Sequence, residues 1–164
     1  MADGGITLDT TRFGQIEIRQ EQIVEFPKGI LGFEAHHHYA LIADPEIAPF
    51  VHLQSLEDPA LAFTVVNPRI FFPHYKVQVD RQEIMEMAVH NLDSVQTWVI
   101  VTVPEDAKAM SANLQGPILI NLENNCGKQV VLVRSPYTTR HYLMDELSKH
   151  DEVRPSAMRQ PAEV

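Results

Sequence analysis

An antiparallel β-barrel, or a barrel-like sandwich, is the architecture this chain predicts, with one or two short helices. Three observations predict it. Apolar residues alternate with a period of two in one segment after another. Strand-like runs follow each other at roughly 8–12-residue spacing through short turns. Only one stretch carries a strong helix signal. Short connections favour antiparallel pairing, because a parallel neighbour needs a long crossover. At 164 residues, the chain is long enough for one domain with its own core and no disulfide staple.

The elements follow in order. Residues 1–11 hold Gly4, Gly5 and little apolar weight and are expected to form a flexible N-terminus. A single domain is expected over residues 12–150. It opens after Arg12 with a strand of about eight residues, in which Gly14, Ile16, Ile18 and Gln20 share one face. Ile23, Val24 and Phe26 lead into turn chemistry at Pro27-Lys28-Gly29 and Leu31-Gly32. Strands are expected at residues 39–43, ended by Asp44-Pro45, and at 50–56, ended by Glu57-Asp58-Pro59. Residues 61–66 are almost wholly apolar, as in a strand covered on both faces. Tyr75, Val77 and Val79 alternate again.

Asp80 then reads as a helix N-cap, with Glu83 three residues on as in a capping box. Ile84, Met87, Ala88 and Leu92 carry the helical spacing to residue 92. Residues 95–103, rich in Val, Ile and Thr, form the strongest strand. Residues 112–117 are a connection. Residues 118–122 and 129–133 are expected to pair as a hairpin through Asn124-Asn125-Cys126-Gly127. Residues 139–148 form a second amphipathic helix, with Leu143 and Leu147 four apart, and 151–164 read as a flexible tail. The total is eight or nine strands.

Composition narrows the function. Thirteen Lys and Arg against 22 Asp and Glu give a net charge of −9. A protein that grips phosphates needs a basic face, so direct nucleic-acid binding is not expected. The acidity either steers protein partners with basic patches or simply keeps the chain soluble. The N-terminus has no apolar signal segment, no 18-residue apolar run spans a membrane, and Cys126 is the single cysteine. The chain therefore reads as cytoplasmic, without membrane attachment.

No catalytic set is visible. His36, His37 and His38 form the most conspicuous polar cluster. In an extended stretch His36 and His38 share a side and offer a weak metal site, but a zinc centre needs three or four converging ligands. A solvated turn is the plainer reading. The other five histidines are scattered, and neither a nucleophile elbow nor a phosphate-cradling glycine loop is present. No enzyme activity, metal or cofactor is expected. Two acidic windows, residues 44–58 and 80–93, flank an aromatic stretch around Phe72 and Tyr75. That stretch is either plain core or the apolar centre of an interface with an acidic rim. The candidate partner surface consists of Glu57, Asp58, Asp80, Glu83 and Glu86 as rim, with Phe72 and Tyr75 as anchors.

The order of several segments resembles the FliW flagellar assembly factors. These are Phe13-Gly14-Gln15-Ile16, Phe26-Pro27-Lys28-Gly29-Ile30-Leu31-Gly32-Phe33, Leu53-Gln54-Ser55-Leu56, Asn67-Pro68 with Phe71-Phe72-Pro73, Ala112-Asn113-Leu114-Gln115-Gly116-Pro117 and Gly127-Lys128-Gln129. The resemblance runs from about Arg12 to Tyr142. It implies a small cytoplasmic barrel-like protein without catalysis, a monomer. Such a protein binds the translational repressor CsrA, relieves repression of flagellin synthesis, and binds flagellin itself. The alternative is a small ligand- or metal-binding barrel that uses His36, His37 and His38. The histidine cluster and both terminal extensions lie outside what the resemblance carries.

Overall fold

The computed structural model describes residues 5–147. Its centre is a closed barrel of seven strands. In chain order these are β3 (Ile23–Glu25), β4 (His38–Ala43), β5 (Val51–Ser55), β6 (Ala62–Val66), β7 (Val95–Thr102), β9 (Ile118–Asn121) and β10 (Cys126–Gln129). Each pairs with the next around the ring, and β10 returns to β3. β8 (Ser111–Ala112) pairs with the C-terminal residues of β7, and β11 (His141–Tyr142) pairs with β8. The predicted β-barrel is the observed fold class. All pairings are antiparallel except the closing one, a single parallel bridge between Cys126 and Glu25.

Alternation places two cores on the two faces of the same strands. Tyr39 and Leu41, Leu53, Val65, Trp98 and Ile100, and Ile118 and Ile120 pack together around Phe26 inside the barrel. Their neighbours Val66, Val99, Val101 and Leu119 point outward into a second core with Phe71, Phe72, Tyr75, Met87 and Leu132. The 68–92 excursion and the chain after Gln129 cover that outer face. Strands buried on both faces read as continuous apolar runs, which is why residues 61–66 carry so little polarity.

Several elements differ from expectation, each for a local reason. Residues 5–10, expected to be flexible, form β1 (Gly5–Thr10), paired over six residues with β2 (Gly14–Arg19). Ile6 lies opposite Ile18 and Leu8 opposite Ile16, and this face packs on Ala40 of β4. The little apolar weight of the segment is all on one side. The hairpin turn after β9 falls at residues 122–125, with Asn125 at φ 53°, so the second strand starts at Cys126 rather than Gln129. Gly127 is therefore a strand glycine. A Cβ there would sit 2.6 Å from Cζ of the fully buried Phe26. Tyr75, Val77 and Val79 alternate without joining any ladder. Residues 143–147 are helical, after β11 has taken His141 and Tyr142 from the expected 139–148 helix. The predicted tail lies outside the described residues.

The expected helix over residues 80–92 is one short turn and a half, α1 (Arg81–Glu86). Asp80 precedes it with extended dihedrals but makes no side-chain cap bond. Glu83, the other half of the expected capping box, bonds Lys128 instead. The backbone N–H groups of Met87 and Ala88 meet the last helical carbonyls, and side chains from elsewhere hold the residue just beyond the helix. Asn121 Nδ2 donates to the Met87 carbonyl at 3.1 Å and Asn124 Nδ2 does so at 3.0 Å. Ala88 then turns with φ 54°, and Met87 is buried in the outer core.

Gly127→Ala forces a methyl group into the Phe26 ring. Overpacking of this kind costs about 1–3 kcal/mol. The expected outcome is a lowered denaturant midpoint with unchanged slope, measured by chemical unfolding. A substituted protein as stable as the parent would show that the barrel closes without this contact.

Candidate functional site

The register of β4, β3 and β10 puts His38 opposite Glu25 and Glu25 beside Cys126. At about 4.8 Å between strands, this row crosses roughly 10 Å of surface. Charged groups collect at both ends of it. At one end Glu57, just beyond β5, accepts hydrogen bonds from the backbone N–H groups of His37 (2.8 Å) and His38 (3.1 Å). Its other oxygen meets His38 Nδ1 at 3.2 Å, while His38 Nε2 lies 3.9 Å from Glu25. The Ser55 hydroxyl accepts the N–H groups of Glu57 and Asp58, both at 3.0 Å, which fixes the loop that carries them.

At the other end Lys128, two residues after Cys126, bonds both Glu83 and Glu86 of α1. Lys28 reaches Glu86 at 2.9 Å. The outcome is a belt of polar and charged groups: Glu57, His38, Glu25, then Lys128, with Glu83, Glu86 and Lys28.

The charges tune one another. For Glu57, partial burial raises the carboxyl pKa, but the His38 and His37 hydrogen bonds outweigh burial and hold it below its usual range. Hydrogen bonds from Lys128 and Lys28 bring Glu86 down to about 2. Desolvation disfavours the Lys128 ammonium, yet its bonds to Glu83 and Glu86 prevail and raise its pKa. Cys126 moves the other way from a reactive thiolate: burial and Glu25 raise its pKa against the pull of Lys128.

The seven candidate partner residues therefore divide. Glu57 and Asp58 stand at one end of the belt, and Glu83 and Glu86 at the other. Asp80 is exposed at the start of α1. The two expected anchors are instead core residues. Tyr75 is 2% exposed, and its hydroxyl donates to the Leu114 carbonyl at 2.7 Å. Phe72 is 9% exposed, with its ring 5.8 Å from that of His141. Phe72 and Tyr75 belong to the outer core, as the plainer of the two sequence readings has it.

The histidine cluster does not converge. His37 Nε2 lies 2.8 Å from the Glu34 carbonyl, and His38 faces Glu57 and Glu25. Among the described residues, no three His, Cys, Asp or Glu side chains form a metal-holding group. Sequence reasoning missed Lys28, Lys128 and Glu25. Each partner is remote along the chain, and no local pattern announces such pairs.

Comparison with known proteins gives a consistent result. A family model described as FliW protein matches residues 7–143. The flagellar assembly factor FliW of Alkaliphilus metalliredigens is 41% identical over 146 residues, 88% of this chain and 90% of that protein. The one from Treponema pallidum is 33% identical over 142 residues, 87% of this chain and 94% of that protein. A crystal structure of a flagellar assembly factor FliW superposes with a TM-score of 0.79 at 36% identity, covering 84% of this chain and 96% of that one.

Two measurements probe the site. Glu86 and Glu57 have depressed folded pKa values, so their stabilisation is in place above the unfolded value of 4.5 and is lost as pH falls toward about 2 for Glu86. Lys128 is raised, so its share is in place below 10.5 and is lost as pH climbs above that. Glu86→Gln is expected to flatten the acid limb of a stability–pH profile, and an unchanged limb would contradict the ion pairs. Tyr75→Phe leaves a buried carbonyl unmet and is expected to lower stability by about 1–3 kcal/mol. Its binding to partner proteins should not change, because the ring never reaches the surface.

Proposed function

The chain belongs to the FliW family, and on that premise we propose that it is a non-catalytic, cytoplasmic regulator of flagellum biogenesis that works by binding proteins. It binds the translational repressor CsrA and so relieves repression of flagellin synthesis. It also binds flagellin, as an assembly factor and chaperone, and the two partners compete for it. It acts as a monomer and does not touch nucleic acid directly. The observation that carries this reading is the family match across residues 7–143 together with the shared barrel. The net charge of −9 supports it, since an acidic surface steers a basic RNA-binding partner.

The contact surface we propose is the acidic rim of Glu57, Asp58, Asp80, Glu83 and Glu86, without Phe72 and Tyr75. Glu57, Glu83 and Glu86 already hold internal partners. Asp58 and Asp80 make no ion pair among the described residues, and their field is the part left for a partner.

The test is titration of the protein into a CsrA–RNA complex while RNA release is followed, with flagellin then added. Release that flagellin reverses is the expected result. Absence of release at saturating protein would end the reading. Asp58→Asn with Asp80→Asn keeps the oxygen acceptors and removes two charges. Each change should mainly slow association at low salt, at about 1 kcal/mol or less. An association rate equal to the parent's would remove these two residues from the interface.

A further inference from the structure

Beyond Gln129 the chain still runs alongside the segment that leads into β9. The N–H groups of Val130 and Leu132 donate to the carbonyls of Pro117 (3.0 Å) and Gln115 (2.8 Å). Their side chains are buried at 1% and 4%, while Val131 and Val133 stand 46% and 81% exposed. Residues 130–132 thus follow the strand with one satisfied edge, and Val133 opens the turn that comes next. The other edge is open: among the described residues, no hydrogen bond reaches the N–H of Val131 or Val133.

A second extended stretch, residues 76–80, faces that edge, and the N–H groups of Gln78 and Val79 also have no partner there. The two lips are fastened at their ends. Lys76 N donates to the Tyr137 hydroxyl at 3.2 Å, and Lys128 pairs with Glu83. Between these fastenings lies a groove of about 700 Å³, lined by Val79, Val131, Val133 and Tyr137. Five extended residues span about 16 Å, the length of a short strand.

The groove is also polarised. Lys76 and Arg134 line it toward the Tyr137 end, both exposed and neither in an ion pair among the described residues. Asp80 lines it toward the Glu83 end and is likewise unpaired. Open backbone donors, a valine-lined wall and separated charges together specify one occupant.

We infer that this groove docks an extended segment of a partner protein, added as a β-strand along residues 129–133 with its acidic end at Lys76 and Arg134. Main-chain bonds to Val131 and Val133 hold the strand, and apolar side chains at alternate positions meet the valines. The charges fix its direction, with a neutral or basic end toward Asp80. The inference goes beyond the regulator reading and stands without it.

The test uses the full-length, isotope-labelled protein and four synthetic octapeptides of alternating threonine and valine. One pair carries two aspartates at the N-terminal or the C-terminal end, and the other pair carries lysines in their place. Titration is followed at the backbone amides by NMR. The expected result is that one acid-ended peptide shifts the Val131 and Val133 amides, slows their hydrogen exchange, and binds about tenfold tighter than its lysine-ended counterpart. Lys76→Glu with Arg134→Glu should reverse that preference while leaving the melting temperature nearly unchanged. Val133→Pro removes one donor and should weaken binding about tenfold, whereas Val133→Thr should not. If the proline variant unfolds, the charge-reversal variant decides alone. Perturbation elsewhere on the barrel, equal binding of both peptide types, or no response to either acid-ended peptide would overturn the proposal.

Discussion

The ring of Phe26 and the bare backbone of Gly127 are where the barrel closes. Phe26 is fully buried, stacks edge-on against Tyr39 at 5.3 Å, and bonds its N–H to the His37 carbonyl at 2.7 Å. A side chain at residue 127 would strike that ring, so only glycine lets β10 approach β3. The approach is brief, a single parallel bridge, yet it sets what surrounds it. It places Cys126 beside Glu25 and aims Lys128 at α1. Gly29, at φ 67° with Glu34 backbone against its α-carbon, turns the chain just after Phe26 and so fixes where the turn places Lys28. The charge belt and one end of the groove both depend on the position of Lys128, and Lys128 depends on this closure.

A net charge of −9 suggests an outward field, but the fold uses much of that acidity itself. Glu57 caps the entry to β4, and Glu83 and Glu86 clasp a lysine whose side chain is only 12% exposed. Isolated surface pairs contribute little to stability, whereas several charges joined around a half-withdrawn partner contribute more. These carboxylates tie α1 to β10 across more than forty residues of sequence. What remains for an external partner is the unpaired minority, such as Asp58 and Asp80.

Much of the barrel was legible in the sequence because period-two alternation reports burial directly. The runs around residues 39–43, 50–56, 61–66, 95–103 and 118–122 each fall on a strand of the structure. Errors arose where one residue type serves two physical purposes. Gly127, two residues after a pair of asparagines, looks like turn chemistry, but its glycine is required by the ring of Phe26, far earlier in the chain. Asp80 and Glu83 have capping spacing, but a distant lysine outcompetes the local cap, and the helix ends before Ala88, whose positive φ turns the chain while the amides of Asn121 and Asn124 hold the Met87 carbonyl. Residues 5–10 look too polar to fold, until β2 supplies the facing isoleucines. The acidic half of the candidate site was visible as composition, while its cationic half required the topology that brings Lys28 and Lys128 to α1.

An open strand edge is usually a hazard, which proteins blunt with charge, proline or a covering segment. The edge at residues 129–133 has such devices at its margin rather than along it. Arg134 and Pro136 close one end, the Lys128–Glu83 pair closes the other, and residues 76–80 stand as a wall opposite. A flat sheet edge from a second copy cannot enter between two fastened lips, whereas a single extended chain can. The valines that would make a bare edge sticky face this groove, so the same features that protect the edge also select what can reach it. The segment 76–80 accounts for this economy: Val77 and Val79 pack on the outer core and hold the wall in place, which leaves its backbone free of any ladder.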